Sequence, residues 1–281
     1  MPNLYFCIRI HLKLKWGKAL KKTKVLKAIS SLLVLCCMIA TGSGCQPEDT
    51  ESDHGTAEIL HNTVTESTAA TTTKSDKAVT TEYTIPTTRP SRLVSVPAGT
   101  YYIDVENILQ RPELPTGCEA TSLTIMLNFL GYNVDKRTIV DEYLPKTTRM
   151  YSLNTHFIGN PYSKSGLGCY APVIVATANR YFDSVNSNDR AENISGASAK
   201  ELYNYVANGK PVICWVTIAL TDTYISNTWI AKDTGETINF YINEHCTVLV
   251  GYNSHKGTVT LNDPWKGIVT YPMSLFEKRY M

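Results

Sequence analysis

A cysteine stands between a proline–glycine loop and an apolar run in Pro115-Thr-Gly-Cys118-Glu-Ala-Thr-Ser122. A thiol in that place opens a helix, and the partial positive charge of a helix N-terminus favours thiolate over thiol. Such a thiolate is a useful nucleophile when a base, and a group that orients the base, stand close by. His156 lies in an Asn/Gly/Pro loop and His255 in a turn beside Lys256 and Gly257, both read as solvent-facing. His245 instead opens the apolar run His245-Cys-Thr-Val-Leu-Val-Gly-Tyr252, and the following run ends in Leu261-Asn-Asp263-Pro-Trp265. A hairpin lays these runs side by side, with His245 at the start of one and Asp263 just past the end of the other, at the same edge. Taken alone, His245 reads as a satisfied core residue and Asp263 as ordinary turn chemistry. Together with Cys118 they predict nucleophile, base and orienting carboxylate for acyl transfer.

The elements that must position these groups can be read from periodicity. Apolar residues at Ala120, Leu123, Met126, Leu127 and Leu130 predict an amphipathic helix capped by Gly131. Asp135 is expected to cap a second helix through Leu144, stopped by Pro145, and a third is expected from Pro172 to about Phe182. Ser198-Ala-Lys-Glu201 is a capping box for a fourth, ending at Gly209. The remainder predicts strands at 211–218, 245–252, 258–261 and 267–271, with a last short helix opened by Ser274. Helices first and an antiparallel sheet second make an α+β plan, with the nucleophile at a helix start packed on the sheet.

Three stretches divide the chain. The first 27 residues carry eight Lys or Arg and no acid, followed by an apolar segment, 28–40, and Thr41-Gly-Ser-Gly-Cys45. Basic, apolar and small-residue regions in that order predict a secretory signal over 1–45 and an extracytoplasmic mature protein. Cys45 resembles the lipidated cysteine of a bacterial lipoprotein box, although Gly42 stands where an aliphatic residue is usual; simple secretion is the alternative. Residues 46–95 include 13 Thr and one aromatic, Tyr83, and predict a disordered tether. Residues 96–281 form the expected working domain. Beyond residue 27 there are 19 Lys or Arg against 25 acids, a balance that recommends no nucleic-acid partner. Cys118, Cys169, Cys214 and Cys246 could make two bridges, but Cys214 and Cys246 fall in strand-like runs and no pair has metal-ligand spacing, so neither metal nor cofactor is expected.

The arrangement resembles the papain-like cysteine peptidases. "ELPTGCEATSL" (113–123), "GCYAPVIV" (168–175), "HCTVLVGY" (245–252) and "NDP" (262–264) resemble, more narrowly, the bacterial branch related to the double-glycine leader peptidases, which cleave bacteriocin precursors. The resemblance implies Cys118 as nucleophile, His245 as general base and acid, and Asp263 as orienting carboxylate. It also implies an oxyanion-stabilising glutamine six residues before the cysteine; here Gln110 lies eight before, and is expected to serve across the longer loop. Glu119 reads as a first-turn acid favoured by the helix dipole, with a substrate-facing group as the alternative. Trp265 and Tyr170 are the aromatics expected near the catalytic end. The function expected is cleavage of peptide bonds in a peptide or cell-wall peptide, at a membrane reached through the Cys45 anchor. A transglutaminase-like transferase, a non-catalytic peptide- or cell-wall-binding module and a disulfide-bonded envelope lipoprotein are the alternatives.

Overall fold

The computed structural model describes residues 7–11 and 95–281. In chain order the elements are β1 (Cys7–His11), β2 (Thr100–Tyr102), α1 (Cys118–Phe129), α2 (Lys136–Thr138), β3 (Lys146–Thr147), β4 (Phe157–Ile158), α3 (Ala171–Ser184), β5 (Arg190–Asn193) and α4 (Ala199–Ala207). There follow β6 (Val212–Thr217), β7 (Ile225–Ile230), β8 (Thr237–Tyr241), β9 (Glu244–Asn253), β10 (Thr258–Asp263), β11 (Gly267–Pro272) and α5 (Met273–Arg279). A seven-stranded sheet runs β11-β10-β9-β6-β1-β5, with β2 also on β9, and every pairing in it is antiparallel. The α+β plan is as the sequence predicts.

Both faces of this sheet are covered, which explains why its central strands read as unbroken apolar runs. On β6, Ile213 and Trp215 pack with α1 and α3, while Val212, Cys214 and Val216 pack with α4 and α5. β9 divides likewise, Val248 and Val250 to one side and Leu249 and Tyr252 to the other.

The expected helices form with differences: the last one starts at Met273 after Pro272, and Ser274 does not cap it. Gly131, at φ +89°, closes α1: its N–H reaches Asn128 O and the Tyr132 N–H reaches Leu127 O, the Schellman pattern. The α1 spacing predicts one apolar stripe, yet ten consecutive residues, Cys118 to Leu127, are buried. Its polar side chains are satisfied internally: Thr121 and Thr124 donate to Gly117 O and Ala120 O, and Ser122 donates to Cys246 O across the sheet. The second helix starts at its Asp135 cap but widens into a π turn over Ile139–Tyr143 before Pro145. Both halves of the Ser198–Glu201 capping box are made.

Of the 1–45 region, Cys7–His11 is described, as a strand between β5 and β6. Ile8 and Ile10 are buried there, and Arg9 bridges Glu192 at 2.7 Å. Cys45 and nearly all of the Thr-rich 46–95 segment lie outside the described residues. No helix among the described residues is long and apolar enough to cross a membrane.

Candidate active site

The loop before α1 is held from several sides. The Gln110 N–H donates to Pro264 O at 2.7 Å, fastening the loop to the turn after Asp263. Buried Lys136 donates to Leu109 O and pairs with Glu113 at 2.7 Å, a clasp that nothing in the sequence pattern distinguishes from a surface lysine. A Cβ on Gly117 would stand 2.7 Å from Leu114 Cβ, so glycine is required for the chain to turn this tightly into the helix. Cys118 is then the first residue of α1, where its backbone N–H has no acceptor within the helix.

His245 and Asp263 come from the β9–β10 hairpin, as their spacing predicts. His245 Nε2 and Asp263 Oδ1 are 2.8 Å apart, with both side chains 4% exposed. The contact leaves Nδ1 as the remaining imidazole nitrogen. Asp263 Oδ1 also accepts the N–H groups of Trp265 at 2.7 Å and Lys266 at 3.2 Å, so the carboxylate caps its turn and meets the histidine with one oxygen. Burial pushes the Asp263 carboxyl up, but the His245 hydrogen bond and charge and the two N–H donors together hold it below the usual carboxylate range.

Cys118, His245, Gln110 and Trp265 line one cleft of about 520 Å³. Trp265 meets the His245 ring edge-on, with centroids 6.1 Å apart, and Arg111 stacks over Trp265 at 4.1 Å. Tyr170 is buried behind the site, and Trp215 is a core residue whose indole donates to Cys169 O. His255 is exposed as expected; His156 is half-buried against Tyr151.

Three expectations are revised by this geometry. The Cys118 thiol is not held down by its helix position. Burial pushes it well above its ordinary value, and nearby Glu119 adds to the rise. The helix-terminus effect, about 0.3–1 kcal/mol at exposed sites, is outweighed by desolvation. Glu119 is the first-turn acid expected, but it is also fully buried, lines the cleft, and accepts from the Cys118 thiol at 3.3 Å and the Cys169 N–H at 2.8 Å. Gln110, finally, does not offer its amide hydrogens to the cleft. They go to Leu114 O at 3.2 Å and Pro115 O at 2.9 Å, leaving Oε1 buried with no hydrogen-bond partner among the described residues. In this conformation Gln110 braces the loop before Cys118; the eight-residue spacing turns its donors back onto that loop.

Cys118, Cys169, Cys214 and Cys246 are all free and buried, so the bridged alternative does not describe this state. Among the described residues no group of three or more His, Cys, Asp or Glu side chains could hold a metal ion.

Known proteins share this framework. The Bacillus subtilis protein YvpB, uncharacterized, is 32% identical over 167 residues, 57% of this chain and 62% of its own. The chain thus spans less than two thirds of that relative. A crystal structure of a Bacillus anthracis protein assigned as a C39-like peptidase superposes with a TM-score of 0.55 at 30% identity, covering 64% of this chain and 92% of that one. The Peptidase_C39 like family matches residues 102–281, from β2 to the end of the helix after β11. Through that match, which spans the nucleophile loop and the histidine hairpin alike, the chain belongs to the Peptidase_C39 like family and carries its papain-like α+β fold.

Proposed function

We propose that this chain is a thiol hydrolase of peptide bonds that works outside the cytoplasm. The observation that carries the reading is the shared cleft: Cys118 and His245 both line it, and His245 is fixed through Nε2 to buried Asp263. Substrate binding brings a carbonyl carbon to Cys118 Sγ. The thiol proton passes to His245 Nδ1 as sulfur attacks, and the tetrahedral oxygen is met by the Cys118 backbone N–H at the helix start. The imidazolium then protonates the leaving amine and a thioester remains. Water, deprotonated by the same imidazole, releases the acid and restores the thiol. Trp265 and Arg111 form a wall of the cleft beside the base, suited to an extended peptide.

The basic, apolar and small-residue order of 1–45 supports export, and Cys45 supports a lipid anchor that keeps the enzyme at a membrane. Substrates are then peptides or cell-wall peptides met at the cell surface. The Glu119–thiol hydrogen bond is the one observation that favours a non-catalytic peptide-binding module instead. One experiment separates them. The full chain is incubated with a fluorogenic peptide mixture and quenched in acid, and Cys118 is examined by mass spectrometry. A thioester adduct, and cleavage that is lost in Cys118→Ser, are expected. Peptide binding with neither adduct nor cleavage would leave the module. Amide formation with an added amine in place of hydrolysis would make it a transferase.

A further inference from the structure

Two carboxylates meet at the floor of the cleft, and the reaction above uses neither. Glu119 follows the nucleophile on α1; Glu244 opens β9 beside His245. A Cβ on Gly168 would stand 2.5 Å from Glu119 Oε1 and 2.8 Å from Glu244 Oε1, so both oxygens crowd a point that only a glycine leaves open. Glu119 is well supplied with donors, the Cys169 N–H on Oε1 and the Cys118 thiol on Oε2. Glu244 Oε2 is buried with no hydrogen-bond partner among the described residues. Two carboxylates that converge on one point disfavour each other's ionisation. The donors on Glu119 favour its charged form, and the orphaned oxygen on Glu244 disfavours charge there.

We propose that Glu119 and Glu244 hold one proton between them, and that the charge left on Glu119 keeps the resting Cys118 thiol protonated and turned toward it. Glu119 is then a positioning residue. The inference rests on Cys118 being the nucleophile. On attack the thiol's hydrogen bond passes from Glu119 to His245 Nδ1, which takes the proton, while the proton of the carboxyl pair stays where it is.

The titratable groups around the pair are consistent with this. Cys118 on α1, Cys169 and Tyr170 before α3, Tyr241 on β8 and Cys246 on β9 add no positive charge near neutral pH. On the cleft side, His245 faces Glu119 as a cation when protonated, and Lys164 and Arg111 line the same cleft. Burial and the opposing Glu119 both push Glu244 up. Burial also raises Glu119, against its backbone N–H, Cys169 and thiol hydrogen bonds.

The test is the pH dependence of iodoacetamide alkylation at Cys118 in the full chain, followed at that residue by mass spectrometry. The wild-type midpoint is expected above the free-thiol value of about 8.5. Glu119→Gln removes the facing charge and should lower the midpoint by about a unit or more, giving on the order of tenfold faster alkylation near pH 7. Glu244→Gln replaces a neutral group by a neutral group and should leave the midpoint near the wild-type value. A folded Glu119→Gln protein with an unchanged or higher midpoint would overturn the proposal, as would equal shifts in both variants. Should Glu119→Gln not fold, infrared spectroscopy of the wild type decides. A buried carboxylic-acid C=O band persisting at pH 7 and lost in Glu244→Gln is expected, and its absence from the wild type refutes a shared proton. Cys118→Ser separates the two readings. If turnover vanishes there while the Glu119→Gln midpoint stays put, only this inference falls; if turnover persists, the nucleophile assignment falls.

Discussion

Asp263→Asn should lower turnover by about tenfold, far less than Asp263→Ala. The reason is the crowding on one oxygen. Asp263 Oδ1 receives His245 Nε2 at 2.8 Å, Trp265 N at 2.7 Å and Lys266 N at 3.2 Å. An asparagine must place its carbonyl oxygen there, because an amide NH₂ would face two N–H donors. His245 therefore keeps its proton on Nε2 and its lone pair on Nδ1, the tautomer the reaction needs. What is lost is charge. A hydrogen bond to a charged group contributes about 1.5–3 kcal/mol against about 0.5–1.5 for a neutral one, so the imidazolium formed during attack loses about 1–1.5 kcal/mol. That is about five- to twelvefold in rate. Where nothing else fixes the triad amide, the same substitution loses about 10⁴-fold through the wrong tautomer. Asp263→Ala removes the acceptor from a nearly buried imidazole and should lose at least about 10³-fold. Hydrolysis of an activated ester such as p-nitrophenyl acetate, with alkylation of Cys118 beside it, measures both variants once circular dichroism has established that they fold. Stability gives a second readout. The folded carboxyl lies below its unfolded value, so its contribution is present above the unfolded value and is lost as pH falls through the folded one. Asp263→Asn should therefore be less stable than wild type at pH 7, with the gap closing in acid. An Asn variant as damaged as the Ala variant would refute the argument that the backbone donors set the amide. Losses under threefold in both would remove Asp263 from the reaction.

Gln110→Ala should lower the unfolding temperature and slow alkylation and turnover together, because its donors brace the loop through Leu114 O and Pro115 O. A fall in turnover alone, on the order of 100-fold or more with alkylation unchanged, would restore the oxyanion role. The folded value of Glu244 lies above its unfolded one, so its contribution to stability is full below the unfolded carboxylate range and declines as pH rises through the folded value. Urea titrations should show the wild type losing up to about 1.4 kcal/mol per pH unit relative to Glu244→Gln above pH ~5, and parallel curves would contradict this. In the unprocessed chain, deleting residues 1–16 removes β1 with buried Ile8 and Ile10 and should destabilise the fold by up to about 3–6 kcal/mol in the same assay; an unchanged midpoint would deny the strand a part in the fold. Fatty-acid labelling that Cys45→Ser abolishes, together with N-terminal sequencing at Cys45, is the outcome expected of a lipoprotein; a mature chain still carrying β1 would rule out cleavage there.

What was legible in the chain, and what was not, follows from how far each signal reaches. Cap residues act within a few positions, and so Asp135, Ser198 and Gly131 mark helix ends correctly from sequence alone. The hairpin that joins His245 to Asp263 is nearly as local, and its geometry follows from strand length. The hairpin of β7 and β8 escapes because Ile225–Ile230 is almost wholly exposed, and its mixed polar composition reads as loop. β1 escapes for another reason. Its basic neighbours suit export as well as they suit a strand, and its partners lie some 180–200 positions away in sequence. The site divides along the same line. Residue types announce a thiol, an imidazole and a carboxylate, but the ionisation of each depends on burial, which only packing decides. A cysteine at a helix start reads as a thiolate while its surroundings are unknown. Once α1 is enclosed on every side and Glu119 is folded back against Gly168 and Glu244, burial pushes that thiol up and its hydrogen goes to the buried Glu119 carboxyl group. The proposed role of Cys118 as nucleophile stands beside this burial, because His245, its proposed base, lines the same cleft. The energy of ionisation is then drawn from substrate binding and from His245, with the helix terminus a minor contributor. On the proposed reading, such a site keeps its thiol quiet until a carbonyl arrives.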